Sequence, residues 1–346
     1  MRSPLTFAVL LSGCLLATTV SAQQKCNGYS EHCSKTYNSL TYVLTHNSYG
    51  YTSNPAANQL CPINSQLADG VRGLKLSAVK PSNSSSASEI HLCHTSCSIL
   101  DAGPAKDTLT SLTSWLKSNP NEVVTIMWNN LGDFAASDFE EIYKSSGILD
   151  YTHTQNADNY NWPTLQDMIS SGKRVVNFLD VGADQSSVPW LHSEFDYVFE
   201  TPYNNKNESS FSCTIDRPKS PADPDSMMYV MNHFLYGSLT LGSSPIEIPQ
   251  KGTANITNSD SLMKQAQSCS QTFGRPPTFL EVDFYNKGDT MAIAAKLNNV
   301  SYVDKPLQCD QTAEASGKSN QDSAATAVMA SPLLLLMFTL ASLLLV

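Results

Sequence analysis

Short apolar runs recur along this chain with helical patterns between them, and that rhythm does most to limit its fold. Residues 123–128 (Val-Val-Thr-Ile-Met-Trp) lack the alternation of a half-exposed strand, so they read as a parallel strand covered on both faces. Before them, Leu109, Leu112, Trp115 and Leu116 stand three and four apart, the spacing of an amphipathic helix, which Asn119-Pro120 ends. The order returns with a helix over 165–169, a turn at Ser171-Gly172-Lys173 and a strand over 175–180. Further strands are expected at 71–76, where Gly70 and Gly73 permit close backbone passage, and at 197–200, 228–230 and 278–284. Such alternation predicts an α/β fold with a closed parallel sheet. A doubly wound sheet would carry an early Gly-rich phosphate loop, and none is present.

The two ends read as processing signals rather than fold. Met1-Arg2 precedes an apolar run over 5–20, and Val20-Ser21-Ala22 closes it with the small-x-small pattern of signal-peptide cleavage after Ala22. Residues 331–346 are nearly all apolar with no charge beyond them, short for a membrane span of about 20 residues and lacking a Lys/Arg stop. Upstream, the polar, small-residue stretch 313–326 offers Ser316, Gly317 and Ser323 as attachment sites. Small residues, a polar spacer and an apolar tail make the signature of a GPI anchor. The predicted organisation is a signal peptide (1–22), one domain (23–310), a polar stalk (311–323) and an anchor signal (324–346). The protein would then sit on the extracellular face of the cell membrane, with the cell wall or a released form as alternatives. The domain is about 300 residues long, within the range of one (β/α)8 barrel.

Cysteine usage agrees with export. Of nine Cys, Cys14 falls in the signal, and the eight that remain form an even set suited to an oxidising compartment. Cys93–Cys97 and Cys26–Cys33 are the near-neighbour pairs expected to bond, with the other four open. A zinc reading of Cys93-His94-x-x-Cys97 lacks a second ligand pair at finger spacing. Sequons at Asn83, Asn207, Asn255 and Asn299 mark surface loops open to glycosylation. A formal charge of −10 argues against a nucleic-acid partner and a polybasic grip on anionic lipid.

Two histidines carry the chemistry. Thr45-His46-Asn47-Ser48-Tyr49 follows the apolar stretch 40–44, and Leu92-Cys93-His94-Thr95 closes the stretch 90–92. A barrel places its chemistry where strands end, and histidine titrates close enough to neutral pH for two of them to share base and acid roles. His32, His91, His153 and His192 read as surface or structural, and His233 as a packed core residue.

These blocks, in order, resemble the X-domain family of phosphatidylinositol-specific phospholipases C, and most of all its secreted, GPI-anchored fungal branch. The residues that carry the resemblance are 44–49 (Leu-Thr-His-Asn-Ser-Tyr), 66–74, 92–94, 119–126, 172–180 and 282–289, which span most of 36–306. The resemblance implies an irregular TIM-type barrel with its site at the C-terminal mouth. It implies that His46 is the base taking the inositol 2-hydroxyl proton, that His94 is the acid protonating the departing diacylglycerol oxygen, and that Asp283 orients the base as in a serine-protease triad. Asn47 matches a polar residue that touches the phosphate or a metal. The substrate would be an inositol phospholipid or GPI-type head group.

The chain departs from that family in its charges. Calcium-dependent members carry acidic ligands at the positions of Lys75 and Ser77, and a third where Trp128 stands; calcium takes 6–8 oxygen ligands, so no cofactor is expected. The Arg of metal-free bacterial members, roughly at Ser77, is also absent. Strand alternation puts 75 and 77 on one face, making Lys75 the candidate phosphate-facing cation, or else a partner of Glu281. Glu281 shares the face of Asp283, and Tyr285 is a candidate to stack on the inositol ring. Arg72, of opposite parity, is expected to brace the barrel, while Asp180 and Glu200 end predicted strands. The same departures support a second reading, a catalytically inactive barrel serving as a cell-surface binding or wall protein. A sphingomyelin-type phosphodiesterase would need acidic magnesium ligands near the first His, and none is found.

Overall fold

The computed structural model describes residues 24–310 apart from 83–85, 87, 158 and 242–243. The expected signal peptide, stalk and anchor signal, and the sequon at Asn83, lie outside the described residues. Among those residues no helix is long and apolar enough to cross a membrane.

The chain runs β1 (Tyr42–Thr45), α1 (Ile63–Asp69), β2 (Gly73–Val79), a hairpin of β3 (His91–Cys93) and β4 (Asp101–Pro104), α2 (Ala105–Ser118) and β5 (Val124–Asn130). Then follow α3 (Ala136–Ser146), α4 (Leu165–Ser171), β6 (Val175–Leu179), β7 (Leu191–Ser193), the one-turn α5 (Glu194–Tyr197), β8 (Val198–Glu200) and β9 (Met228–Asn232). A second hairpin, β10 (Tyr236–Leu241) and β11 (Ser244–Pro249), leads into α6 (Ala254–Ile256), which passes through a π-helical turn into α7 (Leu262–Phe273). The last elements are β12 (Phe279–Val282) and α8 (Thr290–Leu297). The parallel strands curl in the order β7-β6-β5-β2-β1-β12-β9-β8. The fold is therefore α/β, a curled parallel sheet in a single domain.

Closure differs from the closed sheet expected. Among the described residues β7 and β8 do not pair. They are consecutive, three residues each, and joined by a single helical turn. A parallel crossover needs a dozen residues or more, so they cannot sit side by side. The free edge of β8 is instead taken by the loop over 201–227, which doubles back so that Glu200 N donates to Arg217 O at 2.7 Å. Gly73 has Leu44 so near that a Cβ there would lie 2.9 Å from the leucine side chain. Glycine is thus required for β1 and β2 to approach.

Alternation divides each strand between two faces. Leu74, Leu76, Ile126, Trp128, Leu280 and Val282 join the core between sheet and helices, where side chains of this size contribute about 1.5–3 kcal/mol each on burial. Tyr42, Leu44, Met127, Phe178, Val230 and Phe279 fill the lower interior of the sheet with Tyr37 and Trp162. Above that apolar floor the inward positions turn polar: Lys75, Glu200 and Glu281, then His46, Ser77 and Asp283.

All eight cysteines of the domain are bonded, as Cys26–Cys33, Cys93–Cys97, Cys61–Cys309 and Cys213–Cys269. The first two pairs match the near-neighbour expectation. The end of the described chain is strapped to the body by Cys309 and by Asp310, whose Oδ1 accepts from Asn286 Nδ2 at 2.7 Å.

Candidate active site at the sheet mouth

His46 and Asp283 come from neighbouring strands. The backbone His46 N donates to Val282 O at 3.0 Å, so the residues following β1 and β12 emerge side by side. The Nδ1 of His46 lies 3.0 Å from Asp283 Oδ1. Asn58 Nδ2 donates to that same oxygen at 2.8 Å, and its Oδ1 accepts from Asn47 Nδ2 at 3.1 Å. Phe234 stacks on the imidazole with centroids 4.1 Å apart, and Tyr236 meets it edge-on at 6.2 Å. The stem of the β10–β11 hairpin thus walls the ring, leaving His46 6% exposed.

His94 arrives by a different route from the one expected. Its strand, β3, is antiparallel and pairs with the far end of β2 through Ala78–Leu92 and Val79–His91. β2 overshoots the mouth and the β3–β4 hairpin is built on the overshoot. The Cys93–Cys97 bond closes the turn that carries His94, and Tyr49 ties it to the first histidine. The tyrosine hydroxyl meets Cys93 O at 2.8 Å and Asn47 Oδ1 at 3.1 Å.

Backbone strain collects at these points. Among the described residues six non-glycine residues have positive φ, and three of them, Asn47 (42°), Thr95 (59°) and Phe284 (48°), directly follow His46, His94 and Asp283. Left-handed φ costs an ordinary residue about 1–2 kcal/mol, and such strain gathers at functional sites.

The electrostatics separate the two histidines. Burial, the largest influence on His46, favours its neutral form, but the charge and hydrogen bond of Asp283, aided by the charge of Glu281, outweigh it and raise the pKa. Burial lowers the pKa of His94, and the nearby charge of His46 lowers it further, against Asp283. His94 therefore lies within electrostatic reach of both partners.

Below them, Lys75 is buried and spent. Its Nζ lies 3.0 Å from Glu200 Oε1 and 3.4 Å from Glu194 Oε1, so the ion pairs expected with Glu281 form elsewhere. Burial opposes the ammonium, but the charges of Glu194, Glu200 and Glu281 hold its pKa up. Glu281 is buried, within electrostatic reach of Lys75 and His46, and its pKa is raised by burial.

Two further expectations are corrected. Tyr285 does not face the mouth: its hydroxyl lies 2.6 Å from Asp69 Oδ2, and its ring packs in the outer core. Trp128 also faces outward, donating from Nε1 to Tyr143 Oη at 2.9 Å. The inward residue of β5 at that end is Asn129, in register with Ser77. Asp180 accepts from Asn130 N, and both ring nitrogens of His233 are engaged by Gln265 and Thr257. Arg72 does brace the sheet, pairing with Glu122 at 2.6 Å.

At the positions where the family places a metal, Lys75 is ion-paired and Ser77 is hydrogen-bonded within the protein. Asn47 Oδ1 already accepts from Tyr49 and from Ser77 Oγ at 3.1 Å. Among the described residues, His91, Cys93 and Asp101 cluster within 4.8 Å, but Cys93 is oxidised with Cys97. A cavity of about 720 Å³ lies by Thr41 and Gly70 at the opposite end of the sheet, away from His46 and His94.

The family model of the PI-PLC X domain matches residues 32–298. The chain belongs to the PI-PLC X family. A secreted protein of Arthroderma benhamiae is 36% identical, covering 85% of this chain and 70% of its own length. A PI-PLC X domain-containing protein of the same organism is 32% identical, covering 85% and 96%. Among solved structures, the phosphatidylinositol-specific phospholipase C of Listeria monocytogenes superposes with a TM-score of 0.50 at 16% identity, over 78% of this chain and 96% of that one. A variant of the Staphylococcus aureus enzyme does so equally. At that identity the likeness is one of fold. This PI-PLC X domain carries residues that its motifs did not announce, namely Asn58, Phe234, Tyr236 and Arg217. Asn58, Phe234 and Arg217 come from loops and Tyr236 opens β10, and no local signal marks them.

Proposed function

We propose that this PI-PLC X protein is an extracellular phosphodiesterase that cleaves phosphatidylinositol or GPI-type phosphodiesters by proton transfer between His46 and His94, without calcium. His46 accepts the proton of the inositol 2-hydroxyl, whose oxygen attacks phosphorus to give a cyclic phosphate. His94 donates its proton to the departing diacylglycerol oxygen. The observation that carries this reading is the buried His46–Asp283 pair at 3.0 Å, with the pKa of His94 moved in the opposite direction. Environments that push two titratable groups apart are the mark of a base and an acid. Asp283 strengthens His46 as a base by stabilising the imidazolium it becomes. A lowered pKa makes His94 the readier donor, and the negative phosphodiester favours its protonated form on binding.

Independence from calcium is supported by Lys75 standing among Glu194, Glu200 and Glu281, and by the saturated Asn47. Export and a GPI tether are supported by the sequence of the two ends and the four disulfides, which persist in oxidising compartments.

The test is purified protein on phosphatidylinositol, with chelator and with added calcium, read by ³¹P NMR for cyclic inositol phosphate. Release in chelator, abolished in His46→Ala, is expected. No release under either condition overturns the reading and leaves a catalytically inactive surface barrel.

A further inference from the structure

In-line displacement at phosphorus needs positive charge beside the phosphate oxygens, and Lys75 cannot supply it. Its side chain is 2% exposed and held by two glutamates. A second cation stands next to it. Glu200 is bridged between the two, giving Oε1 to Lys75 at 3.0 Å and Oε2 to Arg217, whose Nε lies 3.0 Å away and whose Nη2 also donates to that oxygen. We infer that Arg217 is the cation that meets the phosphate group of the substrate at the mouth, in place of the metal or arginine found elsewhere in the family. This rests on the phosphodiesterase reading above.

The guanidinium has five N–H donors in a rigid fork. Its Nε edge faces Glu200, and Nη1 has no partner among the described residues, which leaves the Nη1–Nη2 edge for a planar pair of oxygens. Unlike Lys75, the side chain is 32% exposed. It lies over the rings of Tyr203 and Phe195, at 4.7 and 5.6 Å from their centroids, contacts that hold a guanidinium flat.

Its backbone is fixed as well. Arg217 O accepts from Glu200 N at 2.7 Å, and the Cys213–Cys269 bond pins the loop four residues earlier to α7. Lys75 and Arg217 hold Glu200 ionised against its own burial, and of the two cations Arg217 is the one whose side chain reaches solvent. Glu281 lies within electrostatic reach of both Arg217 and His46, which joins this cation to the catalytic mouth.

The test uses the full domain with myo-inositol 1-phosphate and with inorganic phosphate as probes. Affinity by calorimetry should fall at least tenfold in Arg217→Gln, about 1.4 kcal/mol, and less in Arg217→Lys. On wild-type protein, either probe should protect Arg217 from phenylglyoxal, read by peptide mass, so the answer survives a variant that does not fold. Unchanged affinity in a folded Arg217→Gln, or modification of Arg217 unaffected by both probes, overturns the assignment. Equal protection by the two probes assigns the site to phosphate alone, and stronger protection by the inositol ester adds the ring. Cleavage of phosphatidylinositol by wild type and Arg217→Gln with equal KM refutes Arg217 while keeping the phosphodiesterase. Phosphate protection without any cleavage does the reverse.

Discussion

Replacing Asp283 by Asn removes one charge and almost no volume. If the amide oxygen takes the place of Oδ1, it still accepts from Asn58 and His46, and the amide nitrogen occupies the site of Oδ2, which has no partner. The loss is then electrostatic. A 3.0 Å contact puts the charge centres about 4 Å apart, and at an effective permittivity of about 20 their attraction is about 4 kcal/mol. That attraction exists only when His46 is protonated, which in the proposed reaction means in the transition state. At 1.36 kcal/mol per tenfold, kcat/KM on phosphatidylinositol should fall by about 10³.

The pH dependence gives an independent check. The base works once His46 is deprotonated, so the acid limb of kcat/KM follows its raised pKa. Without Asp283, burial dominates and the limb moves to lower pH. Stability runs the other way. A raised folded pKa contributes stability that is complete below the unfolded value of 6.5 and is lost as pH rises through the folded one. The gap in melting temperature between wild type and variant should therefore be widest on the acid side. A folded Asp283→Asn enzyme within tenfold of wild type, or with an unmoved acid limb, refutes the argument.

His94→Gln should lower cleavage of phosphatidylinositol by about 10²–10⁴ but cost far less on a p-nitrophenyl ester, whose leaving group needs no proton; equal losses on both substrates contradict the acid role. Lys75→Met strips Glu194 and Glu200 of a buried partner and should destabilise the fold by about 3–5 kcal/mol in urea titration; a loss under 1 kcal/mol speaks against the ion cluster as drawn. Tyr49→Phe removes hydrogen bonds to Cys93 O and Asn47 Oδ1, costing about 1–3 kcal/mol, and should reduce kcat more than a surface Tyr51→Phe control does.

What the sequence made legible was local. β5 and β6 stood out because runs apolar on both faces, bounded by turn residues, have few other fates. The same property hid their orientation, since a strand without alternation does not say which side is inward. Trp128 therefore stands at the family's mouth-ligand position by sequence, although Asn129 is the residue that faces that way. β2 carried a polar Lys75 and Ser77 on one face, and its parity was readable. The direction of β3 was not, because three residues carry no sign of parallel or antiparallel pairing.

Distance along the chain set the other limit. The pair His46–Asp283 joins residues 237 apart and was reachable only through the family pattern. Lys75 meets Glu194 and Glu200 across 119 and 125 residues, and nothing local favoured them over Glu281. Cys26–Cys33 and Cys93–Cys97 followed from proximity, while Cys61–Cys309, 248 residues apart, did not.

That long disulfide has a geometric consequence when taken with the Asp310–Asn286 bond. Asn286 lies in the turn three residues after Asp283, and Asp69 at the end of α1 accepts from the backbone nitrogens of Gln308 and Cys309. One covalent bond thus anchors the last described residues against two elements, the helix that leads into β2 and the turn that carries the carboxylate of the base.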